Sequence, residues 1–452
     1  MSAREDSLAR GGAKARRARI GIVMLVALLL RVGWVLVADV GPDRRGFHHD
    51  MTWYHLTAAQ VARGMGLSRY DGTPTAEWPP GYPALLGGIY YLSGDSILAA
   101  QLANAVLGAL TCLLTYLLGR RLFGGPAGEA VGLVAAALLA CLPGDVFYSA
   151  LILSEVAFGA IFVATALLFV AWEGRGAGAW WRRAAFGSVL GLASLVRGIA
   201  LGFVAVPVAI WLASAQPLRA TLRKSALAAL GMALVIAPWT LRNQLLLGAP
   251  VLVSTSIGRT LGHAHTEAGG ATVAALRRRV AFRKEFAHLP YPEREIALMH
   301  GWQRRTRDYV LAHPGEDLQQ IPVRFYNLYK HGHQGFLWGR EKAGGGRGHA
   351  PLFGTGIDRA VALVADVYYF ALLGLALLGL SQCFSRRRRV ALLLPLTMAY
   401  FTFMHSVVFP GNPRYHATLA PFFCISAAAA VVTAQRSLRA RRWAPLAGES
   451  EA

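Results

Sequence analysis

Ten apolar runs, most of them close to the length of a helix that crosses a bilayer, divide this chain of 452 residues. A span needs about 20 apolar residues, because the hydrocarbon core is about 30 Å thick and a helix rises about 1.5 Å per residue. The runs fall at 20–39, 97–118, 129–146, 155–173, 183–196, 198–214, 225–243, 357–383, 390–409 and 416–434. Lipid offers no partners for backbone N–H and C=O groups, so apolar spans of this kind must be helices. The expectation is an all-α polytopic membrane protein, a helical bundle of about ten spans. The runs at 183–196 and 198–214 are short, with only Val196-Arg197-Gly198 at their junction. The first run follows Lys14, Arg16, Arg17 and Arg19 and lacks a small-residue cleavage site, so it reads as a retained anchor.

Composition agrees. Apolar residues make up 55% of the chain and charged residues 15%, against about 25% charged in soluble proteins. The formal net charge of +22 raises the question of a polyanionic partner. Its placement answers that question. With the N-terminus inside, residues 1–19 and the short segments at 120–121, 175–183, 219–224, 386–389 and 436–452 are cytoplasmic and carry 22 basic against 4 acidic residues. This is the positive-inside pattern of a membrane protein, and it removes the argument for nucleic-acid binding. Cys112, Cys141, Cys383 and Cys424 lie in apolar stretches without CxxC spacing, which indicates neither a disulfide framework nor a zinc ribbon.

The organisation that follows is a basic cytoplasmic tail (1–19), an N-terminal transmembrane module (20–243) whose first extracytoplasmic loop spans 40–96, an extracytoplasmic cap (244–356), C-terminal spans (357–434) and a cytoplasmic tail (435–452). Both termini are expected inside. The cap carries helix-like stretches at 272–288 and 293–313. No internal repeat of useful period is visible.

Ionisable groups at a membrane boundary are costly and tend to be functional, and they gather on the outer side. The first loop reads Phe47-His48-His49-Asp50-Met51-Thr52-Trp53-Tyr54-His55, then Arg63-Gly64-Met65-Gly66, then Glu77-Trp78-Pro79-Pro80-Gly81-Tyr82-Pro83. Further on come Leu153-Ser154-Glu155, Gly191-Leu192-Ala193 to Arg197, Pro238-Trp239-Thr240-Leu241-Arg242-Asn243 and Asn412-Pro413-Arg414-Tyr415, each at a span end. In this order and at these depths the motifs resemble bacterial membrane glycosyltransferases of the GT-C fold, in the group related to protein O-mannosyltransferases and the lipid A aminoarabinose transferase. The resemblance covers roughly residues 20–435. It implies a GT-C helical bundle with two large extracytoplasmic loops, in a bacterial inner membrane, with its active site outside. It also implies transfer of a sugar from a polyprenyl-phosphate donor to an acceptor hydroxyl on a cell-envelope lipid, glycan or protein, with inversion.

The residue types suit that chemistry. A sugar hydroxyl needs a general base, and Asp50 is the candidate. A lipid phosphate leaves as a stable anion, so cationic donors suffice in place of a general acid; Arg197, Arg242 and Arg414 lie where a headgroup would be. Glu77 and Glu155 are further catalytic candidates, to orient the acceptor, tune Asp50 or hold a divalent ion. Tyr54, Tyr82 and His49 are candidates for acceptor or sugar contact. Each has a plainer reading: Asp50 as a helix cap, Glu155 as a partner of a helix dipole, the arginines as interfacial anchors. Arg31, deep in the first run, either pairs with a buried carboxylate such as Asp366 or binds donor phosphate.

No cofactor is required by this scheme. A divalent metal on Glu77, His263 and His265 is a secondary possibility, since imidazole with carboxylate can hold zinc, although no HExxH spacing occurs. Where the aminoarabinose transferase has a Lys after the matching Glu, this chain has Trp78, which favours a neutral hexose or pentose donor. The alternative class is a transporter or lipid-linked glycan flippase. Transporters usually carry repeats and midplane polar residues, whereas here the carboxylates sit at outer span ends.

Overall fold

The computed structural model describes residues 2–38, 40–41, 50–173, 180–266, 273–340, 352–384 and 386–443. Beyond an isolated bridge between Ser68 and Pro74, the described residues hold no β pairing. Helix α1 (Ser2–Ala38) runs through the basic segment and the first apolar run, and α2 (Asp50–Ala62) and α3 (Gly81–Ser93) follow in the first loop. Helices α4 (Ile97–Phe123) and α5 (Gly125–Ala140) pack as a hairpin, and a 55° bend leads from α5 into α6 (Pro143–Phe147). Next come α7 (Glu155–Trp172), α8 (Trp180–Val196), α9 (Ala205–Ala213) and α10 (Leu218–Leu247). The cap holds α11 (Ser256–His265), α12 (Val273–Glu285), α13 (Glu293–Ala312), α14 (Pro314–Tyr329) and α15 (Gln334–Arg340). The chain then returns through α16 (Thr355–Leu380), α17 (Leu393–Phe403), α18 (Pro413–His416) and α19 (Ala420–Trp443).

The protein is a multi-pass, all-helical membrane protein. Among the described residues seven helical segments are long and apolar enough to cross a bilayer, and the bent α5–α6 unit makes eight. The two remaining runs expected from the sequence are the 17-residue α8 and the shorter stretch Gly198–Ala213. They are separate because Arg197, at their junction, is extended (φ −146°, ψ 120°) and a 3₁₀ segment, Gly198–Val204, follows it.

Small residues let the spans approach closely, as packing in lipid favours. A Cβ on Gly187 would lie 1.9 Å from the carbonyl of Ala228, and one on Gly231 2.0 Å from that of Ala184, so α8 and α10 touch backbone to backbone. Aromatic packing ties the spans that carry the site: Phe162 of α7 meets Phe203 at 4.6 Å and Phe401 of α17 at 5.2 Å.

Where helices break, side chains satisfy the freed carbonyls, which is what makes a break tolerable at membrane depth. Gln101 of α4 donates to the carbonyls of Val40 (2.7 Å) and Ala150 (2.8 Å), and Asn104 donates to Leu151 (2.8 Å). Both positions therefore pin the irregular segment that delivers Glu155. Arg31 has the same task at the α5–α6 bend. Fully buried, it pairs with Asp145 and donates to the carbonyls of Ala27 (3.1 Å), Ala140 (3.4 Å) and Leu139 (3.4 Å). Only a glycine leaves it room, since a Cβ on Gly108 would lie 2.5 Å from its Nε. The carboxylate suggested for it by the sequence, Asp366, is elsewhere, accepting from the Gly332 amide and bonded to His333, each at 2.8 Å.

Removing one partner of a buried pair strands the other charge, at a cost of about 3 kcal/mol or more. Asp145→Ala should accordingly lower the melting temperature of the detergent-purified protein markedly, and the double variant Arg31→Met/Asp145→Leu should recover much of the loss. An Asp145→Ala protein as stable as the parent would rule out this role for Arg31.

Candidate active site

Three chain breaks bring four charged groups together. Glu155 is the first residue of α7, Arg197 occupies the extended junction after α8, and Arg414 opens α18, where the Asn412 side chain accepts from the Arg414 amide at 2.9 Å. A π-helical turn, Met404–Val408, precedes that last break. Asp50, the first residue of α2, completes the group. Arg414 donates through Nε and Nη2 to Glu155 and through Nη1 to Asp50, joining residues 259 and 364 positions apart. Arg197 Nη1 lies 2.8 Å from Glu155 Oε1. Among the described residues two carboxylates face two guanidiniums, so their charges balance.

The two carboxylates differ in access. The Glu155 side chain is 3% exposed and held by both arginines, whereas that of Asp50 is 27% exposed and held by one. Asp50 is thus the member that an incoming hydroxyl can reach. Arg414 carries five N–H groups, of which three point at carboxylates. Its guanidinium lies 4.8 Å over the Trp338 ring, and that of Arg197 lies 5.5 Å over Tyr415.

Tyr54 sits one turn beyond Asp50 on α2. Its hydroxyl donates to Ser154 Oγ at 3.4 Å, and its ring meets Tyr82 edge-on at 5.0 Å. Burial, with Asp50 nearby, pushes the Tyr54 hydroxyl up to about 12 against the opposing pull of Arg414, so it stays a neutral donor. Burial raises Tyr82 as well. Both rings are almost wholly buried and line the back of the cluster, so neither is placed for acceptor contact here. His49 falls outside the described residues.

Glu77 and Arg242 are not in the cluster. Glu77 pairs with Arg259 of α11 at 3.0 Å, and that guanidinium also lies 5.1 Å over the Trp78 ring. Arg242 donates to the backbone carbonyls of Thr75 (2.9 Å) and Leu67 (2.6 Å) and to Asn243 Oδ1 (3.0 Å). The Trp-Thr-Leu-Arg-Asn segment is a staple: Trp239 and Asn243 donate to the carbonyls of Val253 (2.8 Å) and Val251 (2.9 Å), while Arg242 grips the first loop. Glu295 of α13, unmarked by any motif, closes the same junction. It accepts from Thr75 Oγ1 (2.7 Å), the Ala76 amide (2.9 Å) and Thr255 Oγ1 (2.8 Å), fastening the cap to the loop.

The metal set suggested by the sequence does not assemble. Both ring nitrogens of His265 are engaged, Nδ1 by Asp317 and Nε2 by the Val408 carbonyl, each at 2.8 Å. His263 packs edge-on against Trp302 at 5.9 Å, and burial lowers its imidazole to about 3. Glu77 is committed to Arg259. No group of three or more His, Cys, Asp or Glu side chains poised for a metal occurs among the described residues.

A family model described as dolichyl-phosphate-mannose-protein mannosyltransferase matches residues 77–241. Among solved structures, the apo oligosaccharyltransferase of Archaeoglobus fulgidus aligns over 96% of this chain and 52% of its own, with TM-score 0.54 and 16% identity. The chain has the GT-C fold. The A. fulgidus oligosaccharyltransferase AglB, in complex with an inhibitory peptide and a dolichol-phosphate, gives 0.53 and 15% over 97% of this GT-C chain and 52% of that one. ArnT from Cupriavidus metallidurans, in the apo state, gives 0.43 and 16% over 92% and 78%. The chain thus spans about half the length of the oligosaccharyltransferases it matches. No curated protein matches the sequence significantly.

Glu295→Ala would leave three donors unpaired at the loop–cap junction, with an expected loss of about 1–3 kcal/mol per buried group stranded; faster proteolysis of the cap in the variant is the readout, and unchanged protection would refute the staple. Burial also raises the Glu295 carboxyl above its ordinary 4.5, outweighing its three hydrogen bonds. A carboxyl raised in the native state stabilises fully below the unfolded value, and that contribution is lost as pH rises through the native one. Thermal melts should therefore show the parent losing stability as pH rises from about 4.5, and Glu295→Gln should flatten that slope.

Proposed function

We propose that this GT-C protein is an inverting glycosyltransferase that moves a sugar from a polyprenyl-phosphate donor to an acceptor hydroxyl, with Asp50 as general base. The observation that carries the reading is the shared guanidinium of Arg414, which holds a partly exposed carboxylate, Asp50, beside a buried one, Glu155. The description of the matching family and the dolichol-phosphate bound by the A. fulgidus enzyme support it.

In this reading the acceptor hydroxyl approaches Asp50, which takes its proton as the oxygen attacks the anomeric carbon. The bond from that carbon to the phosphate oxygen breaks, and the lipid phosphate leaves as an anion. Arg414 and Arg197 are the cations aimed at it, and Glu155, shielded from solvent, holds both in place. Pre-aimed donors of this kind stabilise developing charge without reorganising. No metal enters the scheme. The donor is read as a neutral hexose or pentose, the acceptor as an envelope lipid, glycan or protein, and the site as extracytoplasmic in a bacterial inner membrane with both termini inside.

Asp50→Asn keeps the size of the side chain and removes the base. Transfer from a polyprenyl-phosphate sugar donor by the purified protein should fall about 10²–10⁴-fold, with folding intact by thermal melting. Transfer at the parental rate would reject Asp50 as the base. No transfer by the parent protein across a panel of donors would reject the enzyme and favour the transporter.

A further inference from the structure

A second charged site lies at the far end of α4, whose Gln101 and Asn104 near its start hold the segment before Glu155 and whose last turn carries Arg120 and Arg121. There α1, α4, α5 and α19 surround a cleft of about 810 Å³. Arg16 and Arg19 enter it from α1, Arg120 and Arg121 from the last turn of α4. Among the described residues the one carboxylate lining it, Glu129, is already held by Arg120 (3.2 Å) and by the Tyr116 hydroxyl (2.6 Å). Arg16, Arg19 and Arg121 form no ion pair with a described residue. Among the described residues, four guanidiniums thus converge on one concavity with a single, occupied counter-charge.

Topology alone needs basic residues near this surface but not their convergence. Arg17 of α1, equally basic, is exposed outside the cleft. The walls add a second signal. Leu133 and Val134 of α5 and Val432 of α19 line the cleft toward the bundle, and the adjacent α1 surface is apolar and open, with Ile22 62% and Leu25 56% exposed. An anion with an apolar tail fits both parts; a soluble anion fits only the first.

We propose that this cleft binds the headgroup of an anionic diacyl phospholipid from the leaflet opposite the Arg414 cluster, with the phosphate among Arg16, Arg19, Arg120 and Arg121 and the acyl chains along α1. Basic pockets between membrane helices recognise phospholipid headgroups in this way. The site is independent of the glycosyltransferase reading, because it shares no residue with that cluster.

The test is native mass spectrometry of the full chain, delipidated in neutral detergent and titrated with phosphatidylglycerol, phosphatidylcholine, polyprenyl phosphate or inorganic phosphate. Phosphatidylglycerol should bind in preference to phosphatidylcholine, and Arg16→Gln/Arg121→Gln should weaken it about 25-fold, at roughly fivefold per guanidinium. Arg17→Gln should leave binding unchanged. These residues are at the surface, so the variants should fold, and thermal melting checks this. Equal binding of the two phospholipids, an equal loss in Arg17→Gln, or no loss in the double variant would overturn the proposal. Polyprenyl phosphate or inorganic phosphate bound more tightly than phosphatidylglycerol at these arginines would overturn the assignment to a phospholipid.

Discussion

Arg414 is the contact on which the candidate site depends. Glu155 is almost without solvent, and a carboxylate in such a place is tolerable only with a partner that donates to it. Arg414 supplies that partner and, through its remaining nitrogen, reaches Asp50 on a different helix. One planar guanidinium therefore sets the distance between a carboxylate that solvent reaches and one that it does not. Arg197 adds the second cation from a third element, so the start of α7, the end of α8, the start of α2 and the turn before α19 are held in register by charge.

Such a cluster requires helices that stop at the right depth, and stopping inside a membrane domain exposes backbone that lipid cannot satisfy. Arg31, Gln101 and Asn104 meet that need from α1 and α4. They are polar residues in apolar helices for a structural reason, and they stand behind the site without touching it. The Arg31–Asp145 pair and the Arg414 cluster look alike as buried charge, yet one shapes a bend and the other presents a reachable carboxylate.

The sequence disclosed the helical bundle because hydrophobic runs of span length have few alternatives. It also pointed to Asp50, Glu155, Arg197 and Arg414, each of which stands at a run's edge where an ionisable residue is conspicuous. It did not disclose pairings. Nothing local links Arg31 to Asp145 rather than Asp366, or Glu77 to Arg259, 182 positions away. Arg242 looked like a phosphate ligand because it shares the span-end position of Arg197 and Arg414, but its neighbours Trp239 and Asn243 turn that helix end toward loop carbonyls. Glu295 carried no signal at all, since its partners are two threonines and an amide brought together only by the docked cap. The histidines misled for the opposite reason: as residue types they suggest a metal, and packing uses them as hydrogen-bond and ring partners.

The most direct test of the central claim is an experimental map of the protein with polyprenyl phosphate bound. The account predicts phosphate density within ion-pairing distance, about 4 Å, of the Arg414 or Arg197 guanidinium, with Asp50 facing the same space. Phosphate density resolved at another part of the first-loop face, with Arg414 still closed on Asp50 and Glu155, would contradict it.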